Sequence, residues 1–116
     1  MSMKLLGVIL KRAKIVRTWR KYIRRIVKAI KEILPNSEIY VFGSAAEDKL
    51  SGGSDIDILI ISDNVPKEIS DKVKLILEIE DKAELPEYHP FEFHIINFDE
   101  KDYYFKHIAR SRIRID

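Results

Sequence analysis

Val41-Phe42-Gly43-Ser44, ten intervening residues, and then Asp55-Ile56-Asp57-Ile58-Leu59-Ile60-Ile61 make up the stretch that decides the fold. The apolar run 37–42 reads as a strand that ends in a Gly-Ser pair. A second strand, 55–61, opens with two carboxylates around a single isoleucine. Side chains alternate faces along a strand, so Asp55 and Asp57 share one face, roughly 7 Å apart at their Cα atoms, and Ile56, Ile58 and Ile60 take the other. Two like charges on one sheet face repel, and a divalent cation is the usual compensation.

The length of the connection sets the direction of the second strand. A parallel crossover needs a dozen or more residues, so a ten-residue link predicts an antiparallel pair. Gly43-Ser44 and the two aspartates then lie at one sheet edge. Ala45-Ala46-Glu47-Asp48 predicts a short helical turn with Ser44 as its N-cap. Backbone amides after a glycine, at a helix start, form an anion cradle. Gly52-Gly53 marks a turn, and Ser54 is placed to bond either a backbone amide or a phosphate oxygen. A phosphate cradle beside a metal-binding carboxylate pair suits a nucleoside triphosphate.

The rest of the chain frames these strands. Apolar residues from Ile15 through Trp19, Ile26 and Ile30 to Leu34 recur at three- and four-residue spacings, predicting one amphipathic helix that begins before Ile15 and ends at Pro35. Periodicity around Ile69, Val73, Ile76 and Leu77 predicts a helix over 66–82. Phe91-Glu92-Phe93-His94-Ile95-Ile96 alternates as a third strand, and its approach through a helical crossover predicts a parallel pairing with the second. Glu92 then joins the aspartates at the same edge. His94, on the same face, bonds Glu92, lines a nucleotide pocket or is a structural histidine. Asp99 is read as the cap of a short helix to about 108, and the basic tail 110–116 is left without an assignment.

Gly43-Ser44 followed after ten residues by Asp55-Ile56-Asp57 resembles the signature of the DNA polymerase β-type nucleotidyltransferase superfamily, and the chain resembles its smallest, stand-alone members. The resemblance runs from the helix before Pro35 to the strand 91–96 and implies a two-layer α+β domain with a small mixed sheet; by length, a single domain is expected over 1–116. It implies transfer of a nucleoside monophosphate, AMP from ATP, to an acceptor hydroxyl. Asp55, Asp57 and Glu92 would hold two Mg²⁺ ions (Mn²⁺ as a substitute), and Gly43, Ser44 and Ser54 would contact the nucleotide. Such small members resemble antitoxins that adenylylate a HEPN-type ribonuclease partner, so a second subunit of that kind, or a second copy, is expected to supply the acceptor.

Composition sets the remaining bounds. At 116 residues the chain makes one domain. It has no cysteine, hence no disulfide framework and no cysteine-based zinc site. No Walker-type lysine or dinucleotide fingerprint is present. The absence of glutamine beside abundant isoleucine, lysine and glutamate points to a thermophile's cytoplasm. No segment is expected to span a membrane. The net charge of +2 conceals an asymmetry, because residues 1–34 hold eleven Lys/Arg and one acid whereas the other 82 hold ten and eighteen. The alternative to an enzyme is therefore a module binding a protein or RNA through its basic helix. Direct nucleic-acid binding is not expected, since the acidic remainder repels phosphate backbones.

Overall fold

The structure, a computed structural model, describes all 116 residues. Four strands form one mixed sheet in the order β3-β2-β1-β4: β1 (Glu38–Phe42), β2 (Ile56–Ile61), β3 (Phe91–Ile96) and β4 (Arg112–Arg114). β1 runs antiparallel to β2, and β2 runs parallel to β3, both as the connection lengths predict. The fold is α+β, as expected.

Three helices, α1 (Met3–Arg17), α2 (Arg20–Ile33) and α3 (Ile69–Lys82), cover one sheet face. The alternation of β2 decides what lies beneath them: Ile56, Ile58 and Ile60 are fully buried there with Ile39, Val41, Phe93, Ile26 and Ile30. Side chains of this size contribute about 1.5–3 kcal/mol each when fully buried, so this layer dominates stability. The opposite face divides along its length. Toward the end of β2, Leu59 and Ile61 pack with Tyr40, Phe42 and Ile96 under Phe98, Tyr104 and Phe105, the last two from α4 (Lys101–His107). Toward its beginning the same face carries the polar residues Asp57, Glu92 and His94.

Several elements differ from the sequence expectation. The long N-terminal helix is two helices, broken at Thr18-Trp19. The Thr18 hydroxyl donates to the Lys14 carbonyl (2.8 Å), a competing bond that ends α1, and the break allows Trp19 to be buried. Gly7 does not delay the start of α1, because Ser2 caps it by accepting from the Leu5 amide. α3 begins at Ile69 rather than at Pro66. Asn97, not Asp99, caps the turn before α4, in a reciprocal bond pair with Glu100. The tail forms β4, an edge strand antiparallel to β1.

Two side chains fasten the frame. The His89 Nδ1 accepts from the Phe91 amide (3.0 Å), so its Nε2 carries the proton that bonds Glu80 and ties the entry of β3 to α3. Asp116 accepts from the Ile39 amide (2.9 Å), from Lys31 (2.8 Å) and from Arg114 (3.0 Å), joining the tail to β1 and α2.

Candidate active site

The strand register builds the site. Phe42 pairs with Asp57 across the antiparallel ladder, and Asp57 pairs with Glu92 across the parallel one. Two carboxylates therefore stand side by side where β1 leads into its Gly-Ser turn. His94, two residues along β3, directs Nε2 to Asp57 Oδ1 (3.2 Å) and lies 3.9 Å from Glu92 Oε1. Its ring is edge-on to Phe42 at 5.0 Å, which fixes its orientation. One ligand atom from each of Asp57, Glu92 and His94 lies within 4.8 Å of the other two.

Two separate features favour glycine at position 43. Its φ is +69°, a region costly for residues with a Cβ. A Cβ there would also approach Asp57 Oδ2 to 3.1 Å. The turn Gly43–Ala45 is a 3₁₀ helix with Phe42 at its cap position and no side-chain cap bond, so Ser44 is inside the turn and not its N-cap. The amide of Gly43 donates to the Ser111 carbonyl (3.1 Å). That donor belongs to the fold, and the expected cradle must use amides beyond it. Ser54 bonds a backbone amide, accepting from Ser51 at 2.9 Å.

Asp55 stands one residue ahead of β2. Its carboxylate receives the Arg12 guanidinium at 2.6 Å and is not among the three clustered ligands. Of the three acids read from the sequence, the structure brings Asp57 and Glu92 together and sets Asp55 against α1. His94 is the ligand-type residue that the sequence left open, and its only signal was a position two residues from Glu92. Arg12 had no signal at all, being 43 residues from its partner.

The donor set fits a hard divalent cation. Two carboxylates supply charge and oxygen ligands, an imidazole is compatible with Mn²⁺ as well, and partial exposure leaves room for water or phosphate oxygens. Elsewhere the cavities are shallow. A 480 Å³ cleft lies between the α1–α2 junction and the connection, lined by Arg17, Arg20, Asp48 and Ser51 among others. No helix is long and apolar enough to cross a membrane.

Residues 23–115 match the nucleotidyltransferase domain family. A crystal structure of a candidate nucleotidyltransferase is 33% identical, with a TM-score of 0.61, over 80% of this chain and 96% of its own. Another, from Sulfolobus solfataricus, is 18% identical with a TM-score of 0.56, covering 98% of this chain and 87% of its own, a likeness that speaks for the fold alone. No protein of curated function matches the sequence significantly.

Proposed function

The chain belongs to the nucleotidyltransferase domain family, and on that premise we propose that it transfers AMP from ATP to a hydroxyl of a second protein. The observation that supports this most is the pairing of Asp57 with Glu92 on neighbouring parallel strands, facing the Gly43 turn. In this reading Asp57 and Glu92, joined by Asp55, hold two Mg²⁺ ions, and His94 orients Asp57. Such ions lower the pKa of an attacking hydroxyl and neutralise a leaving pyrophosphate. The chain's own part is placement. Gly43 lets the turn approach Asp57 closely, Ser44 and the amides near it meet the phosphates, and Ser54 keeps the connection closed through Ser51.

A domain of this size has little surface left for an acceptor. The exposed basic side chains of α2, Arg20, Lys21, Arg24 and Lys28, favour an acidic protein surface as the partner. A HEPN-type ribonuclease fits the resemblance, and a second copy of this chain is the alternative. The composition supports a thermophile's cytoplasm as the setting.

Incubation with ATP labelled at the α-phosphate, Mg²⁺ and a co-expressed partner is expected to place label on the partner and release pyrophosphate. No label on the partner with any of the four nucleoside triphosphates would contradict the transferase reading. It would leave the domain as a partner-binding module acting through α2.

A further inference from the structure

Arg12 lies ahead of the family match at residues 23–115, yet its guanidinium rests on the first acid of the signature, 2.6 Å from Asp55 Oδ1. Its backbone is well fixed. Ile15 and Val16, in the next turn of α1, are buried, and Ala13 lies against Gly52, where an added Cβ would meet the Ala13 methyl at 3.6 Å. α1 is thus seated on the connection between the two halves of the motif, and Arg12 is delivered to its far end.

We propose that Arg12 is a ligand of the incoming triphosphate that rests on Asp55 until nucleotide and metal arrive together; this builds on the nucleotidyltransferase reading above. A cation binding Asp55 shares a carboxylate whose Oδ1 the guanidinium already holds, and the two positive charges repel at that distance. Metal alone therefore reaches Asp57 and Glu92 unopposed, whereas at Asp55 it works against the charge of Arg12. A triphosphate removes the conflict, because its oxygens match the planar fork of arginine and offer it a second anion. The exchange is inexpensive. The Asp55 side chain is 55% exposed and that of Arg12 26% exposed, and ion pairs so open to water contribute little. Arg12 consequently couples the two ligands: each binds better when the other is present.

The test measures Mn²⁺ alone by electron paramagnetic resonance, then α,β-methylene ATP by calorimetry at saturating Mn²⁺. Arg12→Gln is expected to tighten Mn²⁺ binding several-fold and to weaken the nucleotide by about tenfold, within the range usual for coupled sites. Arg12→Lys keeps the charge without the fork, so Mn²⁺ should bind as in the wild type and the nucleotide with intermediate affinity. Opposite shifts in the two constants cannot come from a merely structural role, which would weaken both. Parallel weakening, or no change in either constant, overturns the assignment of Arg12 alone. Wild-type protein that binds no more Mn²⁺ than Asp57→Asn overturns the metal site itself, and this inference with it.

Discussion

Asp57→Asn is expected to reduce label transfer by at least about a hundredfold while the fold survives. The substitution preserves shape at a half-buried position and removes one negative charge from the point where Glu92, His94 and the Gly43 turn converge. Because Asp57 and Glu92 are direct neighbours across β2 and β3, losing one charge also relieves repulsion. The unfolding temperature should hold or rise. Glu92→Gln should behave in the same direction from a more exposed position. Rates close to wild type in both variants, measured with an acceptor that the wild type labels, would remove these residues from the chemistry.

The second large effect concerns stability and involves none of the clustered site residues. Burial pushes the Asp116 carboxyl upward, but hydrogen bonds from Arg114, Lys31 and the Ile39 amide outweigh it and hold the group at about 2. Its side chain is only 6% exposed, so solvent screens these bonds weakly. A carboxyl lowered in the folded state adds stability above its unfolded value, near 4. That stability is lost as pH falls toward the folded value, near 2. The contribution at neutral pH is about 2 kcal/mol. Asp116→Asn should therefore lower the urea midpoint clearly at pH 7, with the difference fading from about pH 4 downward. A difference that persists undiminished at pH 2 would mean that the loss is one of packing and not of charge.

Strand-level features were legible in the sequence because they are local. Alternation in 55–61 assigned Ile56, Ile58 and Ile60 to one buried face and Asp57 to the other. The ten-residue link and the helical crossover gave the directions of β2 and β3, and those directions bring Glu92 beside Asp57. What escaped were interactions between distant segments. Arg12 claims Asp55 across 43 residues, and no spacing rule foretells a helix seated on a loop. The tail's Arg112-Ile113-Arg114-Ile115 alternation was a strand signal, obscured by its brevity and by three arginines. β4 still matters to the site, since the Ser111 carbonyl just before it engages the Gly43 amide. The break at Thr18 had one weak cue, a β-branched hydroxyl residue amid a continuous apolar stripe.

Asp57 and Glu92, as proposed here, form a metal-dependent nucleotide site. Calorimetric titration of the full chain with α,β-methylene ATP tests it most directly, once with Mg²⁺ and once with EDTA. Clear binding is expected with Mg²⁺ and little in EDTA, because nucleotide phosphates and protein carboxylates repel without a cation between them. Equal affinity in the two buffers would contradict it.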